Sequence, residues 1–496
     1  MAVIRESSIP HSIYAKRTGR SFSVAPLLLA GLGVGLLLGS TNLAAQSPNP
    51  TSSTNPFWGS VTAHPATDET LQLSLDEAVK RGLENNLGLK QAEAGEKALD
   101  GEKLEAEQAF LPLIQLSGST GVYQHNLAAL GFSQSVVKKL GSKVPAGFST
   151  ISRDDLTQGQ LQFSQTLFSG PVFAAFKGAG AAERASYFAK MSARGEVVQQ
   201  VATAYLHALA AASEVDNATA LEDSDRLIFN QAHEAHLAGT VANLDELRAR
   251  VQLQSQQQAL IAAQNDLEKD LILLKREIGV APGQKVALTD PTPSSELGTQ
   301  TPEEVRDVAY KNRQDYQNLL NQAVEYKAIH GAYRSYRLPT LTFQGYWGVS
   351  TVNDAGTHGN FLAQGTLSVP LFREAKLHGD IEAAEAQMNS VNEQLADLRT
   401  HIEQQIRVAL LDVDATRQLV DVARSNVELA TRTVSDETDR VNAGVDDNLP
   451  LVEAQSSLAS AESNLIESLY QFNLAKLALG RASGVLETQY RVYLGK

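Results

Sequence analysis

The sequence predicts an α+β fold built twice, in which very long helices carry a β-hairpin at one end of each repeat. Three observations predict it. The two halves of the chain match one another at a nearly constant offset, the hydrophobic period switches from helical to two just beyond Pro112 and Pro339, and apolar residues recur at coiled-coil spacing over long later stretches.

Residues 1–45 have the three parts of a secretory signal. A basic stretch runs to Arg20, an apolar run covers Val24 to Gly39, and small residues Ala44-Ala45 precede Gln46. The apolar run is shorter than the roughly 20 residues of a membrane helix and contains Pro26, so a cleaved signal is expected rather than a retained anchor. Residues 46–70 read as an extended segment. The chain carries a formal charge of −14, and an acidic body of this kind argues against nucleic acid as a partner. With no cysteine anywhere, disulfides, thiolate metal sites, cysteine nucleophiles and a lipid on an N-terminal cysteine are excluded. Any hold on a membrane must come from the fold itself.

The first repeat spans 71–290 and the second 301–484, with a linker at 291–300 and a C-terminal tail at 485–496. In the opening part of each, Ser74 falls on Thr301, Asn85 on Asn312, Leu111-Pro112 on Leu338-Pro339 and Gly118 on Gly345, an offset of 227. Later, Leu167-Phe168 falls on Leu371-Phe372, an offset of 204, and Ala238-Gly239 on Ala443-Gly444, an offset of 205. The copies thus differ mainly in the first hairpin loop, which is 227 − 204 = 23 residues longer. Ser74 with Glu77 and Thr301 with Glu304 read as two capping boxes opening a helix. Those helices are expected to run to Phe110 and Arg337 and to stop at the following prolines.

Beyond the prolines, Ile114, Leu116, Thr120 and Val122 alternate with Gln115, Ser117, Ser119 and Tyr123, and Leu341, Phe343, Trp347 and Val349 with Thr342, Gln344 and Tyr346. Returning strands repeat the pattern, with Leu161, Phe163 and Leu167 against Gln160, Gln162 and Ser164 in the first, placing hairpins at about 113–168 and 340–372. A long helix then runs to Gly239 or Ala443, and a returning helix covers 243–279 or 450–484, with Leu260, Leu267, Leu271, Leu274 and Ile278 at 3/4 spacing in the first. Strands of about 10 residues suit a tilted outer-membrane crossing. Four strands leave two open edges, which hydrocarbon does not tolerate, so a membrane sheet must close with strands from further copies. Aromatics near strand ends (Phe110, Phe168, Tyr336, Tyr346, Trp347, Phe361, Phe372) fit interfacial girdles. The alternative is a periplasmic coiled-coil structural or adaptor protein without a membrane barrel.

These residues resemble the TolC-type outer-membrane efflux proteins. The resemblance rests on Leu73-Ser-Leu-Asp-Glu-Ala-Val79, Leu111-Pro112, Gln165-Thr-Leu-Phe168, Val369-Pro-Leu-Phe372, and the paired runs from Ala238 to Leu247 and from Ala443 to Leu451. It implies a homotrimeric 12-stranded outer-membrane β-barrel, four strands per chain, continuing into a long periplasmic α-helical coiled-coil tunnel. It also implies a periplasmic adaptor (membrane fusion) protein and an inner-membrane pump of RND or ABC type as partners, in efflux of small molecules or type I secretion of proteins. By position, the adaptor-docking tips are Gly239, Thr240, Val241, Asn243 and Leu244, and Gly444, Val445, Asn448 and Leu449. An acidic channel entrance falls on Asp446, Asp447 and Glu453, although Pro450 occupies one of the positions where such relatives carry an acid. Asp245 and Arg248 could pair between subunits.

No catalytic constellation is found, and no cofactor is implied. His233-Glu-Ala-His236 is the most metal-like spacing, but its histidines stand three apart with no third ligand in sequence, and a solvated helix face is the expected reading.

Overall fold

The computed structural model describes residues 57, 59–60, 65–131, 133–140, 149–298, 300–353, 356–443 and 448–495. The expected signal segment 1–45 lies outside the described residues, as do Gly444, Val445, Asp446 and Asp447 of the second tip. Residues 51–496 form one compact unit.

The first repeat begins with β1 (Leu71–Leu73), α1 (Leu75–Asn85) and α2 (Leu87–Gln108). Strand β2 (Leu113–Asn126) follows, then a loop holding a short helix α3 (Gln134–Leu140), and the return strand β3 (Ile151–Phe168). The long α4 (Gly170–Leu237), the returning α5 (Asn243–Ile278) and β4 (Val286–Leu288) complete it, and β4 pairs in parallel with β1. The second repeat contains α6 (Pro302–Asn312), α7 (Gln314–Ser335), β5 (Thr340–Val352), β6 (Thr357–Ser368), the long α8 (Glu374–Asn442) and the returning α9 (Asn448–Ala482). The expected tail is instead a helix, α10 (Leu486–Tyr493), with Leu486, Tyr490 and Tyr493 buried.

The hairpins join into one antiparallel sheet in the order β2-β3-β5-β6. Its strands hold 14, 18, 13 and 12 residues, longer than the sequence suggested. Helices α4 and α8, of 68 and 69 residues, each extend about 100 Å at 1.5 Å per residue. Next to the sheet the packing order is α2-α4-α7-α8, and farther along it is α8-α9-α4-α5.

Each opening helix is interrupted, which period alone did not reveal. Asn86 is extended (φ −62°, ψ 132°), and its side chain accepts from the N–H of Leu89 while donating 2.6 Å to the carbonyl of Phe57. At the equivalent break, Arg313 is nine-tenths buried and grips Asp315 with two nitrogens, at 3.1 and 2.6 Å, and Gln405 with a third. Only one of the two expected capping boxes is reciprocal. Thr301 and Glu304 exchange both bonds, whereas Glu77 turns to Arg81, and the free N–H of Leu75 donates 2.7 Å to Asp290 instead. Asp290 also accepts from the buried Tyr205 hydroxyl, so a residue from the far end of the repeat supplements the local cap, in which Ser74 Oγ accepts from the N–H of Glu77.

Around these breaks lie two apolar clusters. Leu73, Val79, Val197, Val201, Tyr205, Leu274, Ile278 and Leu486 form one, and Val305, Ala309, Ile402, Ile406, Leu479 and Tyr493 the other. Gly484 ends the returning helix with φ +75°, and a Cβ there would stand 2.7 Å from the backbone nitrogen of Arg313. Gly484→Ala is therefore expected to cost about 2–4 kcal/mol from left-handed strain and overlap together. The comparison variant Gly283→Ala, where a Cβ meets open space, should stay within about 0.5 kcal/mol of the parent in thermal unfolding.

Candidate channel wall and inner mouth

Cross-strand register sorts the sheet residues by face. Ile114, Phe163, Gly345 and Ala363 share one row, and Leu116, Leu161, Trp347 and Phe361 the next. Moving toward the helices, a bulge between Thr166 and Phe168 brings Phe168 opposite Leu341, which keeps this face apolar at its base. From Leu341 to Val349 the apolar band measures about 26 Å along the strand, close to the ~25 Å apolar belt of outer-membrane barrels. The expectation that Leu167 rather than Phe168 holds this face is corrected by that bulge.

The other face is lined by amides and hydroxyls. Ser117, Gln160, Gly348 and Asn360 share one row, and Gln115, Gln162, Tyr346 and Leu362 the next. Along β3, Gln162 donates to Gln160, Gln160 to Gln158, and Gln158 to Ser119 across the pair. A carboxylate enters this face only near the hairpin tips, where Asp154 accepts from Asn353 at 3.0 Å. Asn353 adopts φ +45° in the β5–β6 turn and also accepts from the N–H of Asp155, tying the two hairpins together at their tips.

Both layers end in open edges. Among the described residues, strands β2 and β6 each have one partner, and in the helical layer α8 and α5 stand at opposite ends. Exposed apolar residues mark those helices: Val408, Leu411, Leu419, Val422 and Leu429 on α8, and Leu244, Leu247, Val251 and Ile261 on α5.

At the first tip, Gly239 (φ +69°) reverses the chain and donates to His236, while Thr240 bonds Ala235 through both its N–H and its hydroxyl. Val241 offers its carbonyl to His236, and Asn243 and Leu244 open α5. The two histidines share a carboxylate that the sequence did not connect to them: His233 Nδ1 lies 2.9 Å from Glu246 and His236 Nε2 3.8 Å from it, with His233 stacked on Phe229. Among the described residues no cluster has the arrangement of a metal site. Within one chain Arg248 reaches Asp245 at 3.4 Å, three residues back on the same helix. At the second tip, α9 begins at Asn448, ahead of Pro450, whose missing N–H is harmless in a first turn. Leu449 and Glu453 are exposed, while Leu451 is buried.

A sheet with one apolar and one amide-lined face, carried on unbroken helices and open at both edges, defines a segment of a membrane-crossing duct. A family model described as outer membrane efflux protein matches residues 78–280 and 307–485. The curated Nodulation protein T of Rhizobium leguminosarum bv. trifolii is 22% identical over 419 residues, covering 83% of this chain and 85% of its own. Among solved structures, the CmeC outer membrane channel of Campylobacter jejuni superposes with a TM-score of 0.69 at 17% identity, covering 87% of this chain and 92% of that one. The outer membrane protein VceC of Vibrio cholerae gives 0.67 at 18% identity, covering 83% and 96%. At those identities the structural likeness carries the fold. The chain belongs to the outer membrane efflux protein family. It is a channel component of the outer membrane rather than an enzyme, and the reading as a barrel-free adaptor is not favoured.

Proposed function

We propose that three copies close head to tail into one duct, with β2 of each chain pairing with β6 of the next and the α5 edge meeting the α8 edge. The observation that carries this reading is the pair of open edges in both layers. Because each chain contributes an even number of alternating strands, the junction between copies is antiparallel like every other pairing. The count of three comes from family resemblance. In the closed ring the apolar face meets lipid and the glutamine face becomes the wall of the lumen.

The barrel wall then offers hydrogen bonds but little charge, so selectivity by charge rests on the inner mouth. Asp446, Asp447 and Glu453, each present three times around a narrow axis, would favour cations there. The tips at Gly239–Leu244 and Gly444–Leu449 dock a periplasmic adaptor, which links the duct to an inner-membrane pump for export of small molecules or proteins. Residues 1–45 direct export and are removed, and without cysteine the mature protein carries no N-terminal lipid.

In planar bilayers the purified protein is expected to pass a small, cation-preferring current. Replacing Asp446, Asp447 and Glu453 by alanine should lower that preference, and an unchanged reversal potential would remove the entrance from the account. Crosslinking in vivo from Thr240 or Val445 should capture an adaptor. Recovery of none would count against docking at the tips.

A further inference from the structure

Where the sheet meets the helices, a groove of about 740 Å³ is lined by residues of α4 and α7. That is within the roughly 300–1,000 Å³ typical of small-molecule sites. Its sheet end is built from Phe110, Leu167, Phe168 and Leu338. Phe168 belongs to the apolar face of the sheet, so this end opens toward lipid. The opposite end carries Lys177 and Lys327. Lys177 lies seven residues along α4 from Gly170, about 10 Å, and Lys327 eight residues before Ser335 in α7, about 12 Å. Both lysines are exposed, and neither forms an ion pair with a described residue. The groove is thus polarised along its length, apolar at the base of the membrane-crossing strands and cationic on the side away from them.

We propose that this groove binds an anionic glycerophospholipid of the inner leaflet, its acyl chain against the phenylalanines and its phosphate at Lys177 and Lys327. The direction of the groove matches that leaflet, whose chains point into the membrane and whose headgroups face the helical side. Two lysines on one groove can each donate to one of the two free oxygens of an anionic phosphate diester, and a purely apolar occupant would leave them unused. The site does not depend on how many copies close the ring.

The test uses full-length protein in nanodiscs, with a photo-crosslinking residue at Val324, which lines the groove. The probe is phosphatidylglycerol in competition with phosphatidylcholine. Labelled phosphatidylglycerol should be recovered in preference to phosphatidylcholine, and Lys177→Gln with Lys327→Gln should cut that preference by up to about 25-fold, from roughly fivefold per lysine near an anionic lipid. Gly331→Trp, which projects into open space within the groove, should reduce labelling by both lipids. Equal labelling of the two lipids by the parent protein would overturn the proposal without reference to any variant. So would a crosslink from Val324 to a second protein chain, which would mean that a neighbouring copy covers the groove.

Discussion

Leu116→Arg is expected to abolish insertion, while Ser117→Arg, one residue along the same strand, leaves it intact and alters conductance. Leu116 shares its row with Leu161, Trp347 and Phe361 on the apolar face, and Ser117 shares its row with Gln160, Gly348 and Asn360 on the amide face. An arginine facing lipid near the bilayer midplane costs about 2–4 kcal/mol, and a ring of three carries the cost three times. The same side chain turned to the lumen stays hydrated. Heat-modifiable migration of outer-membrane fractions reads the first effect, and single-channel current with reversal potential reads the second. If both variants assembled equally well, the assignment of the two faces would be wrong.

The second large effect concerns pH. Glu277, near the end of α5, is 2% exposed, and neither of its carboxylate oxygens has a hydrogen-bond partner. Burial pushes its carboxyl up to about 8, against which the nearby Arg276 charge works only weakly. A raised folded-state value means that the folded chain keeps a proton the unfolded chain releases, so stability is greatest below the usual carboxylate range and is lost as pH rises toward 8. Asp225, pushed up to about 6 by burial, and Glu325, pushed up to about 7 by burial and by Glu102, act with the same sign. Buried Lys476, lowered to about 8, acts oppositely and only above that pH, where the unfolded chain still holds the proton that the folded chain has lost. Between pH 6 and 8, Glu277→Gln should therefore remove a loss of about 2 kcal/mol per chain. Thermal midpoints in detergent at the two pH values give the comparison, and a variant with the same pH slope as its parent would contradict it.

Much of the sheet was legible because a period of two is a local property: Ile114, Leu116, Phe343 and Trp347 announce their face without knowledge of their partners. The left-handed reversal at Gly239 was legible for the same reason, since few residues other than glycine tolerate it. What period could not reveal depended on distant chain. The break at Asn86 is completed by the carbonyl of Phe57, and the first-turn N–H of Leu75 is capped by Asp290. Nothing local marks Glu277 as buried. Likewise, Lys177 and Lys327 are 150 residues apart in sequence and line one groove only because α4 packs along α7. The bulge beside Phe168 moved one aromatic to the opposite face, and a strict alternation has no symbol for such an extra residue.

The contrast between broken and unbroken helices has a mechanical side. α4 and α8 run from the sheet to the tips without a hinge, so each is a shaft of about 100 Å whose lower end cannot turn without bending its length or loading the sheet above. α5 and α9 end instead at Gly279 and Gly484, both left-handed, and neither runs directly into a strand of the four-stranded sheet. Any displacement at the helical tips is therefore expected to fall on those two returning helices rather than on the shafts, with little change in the width of the barrel.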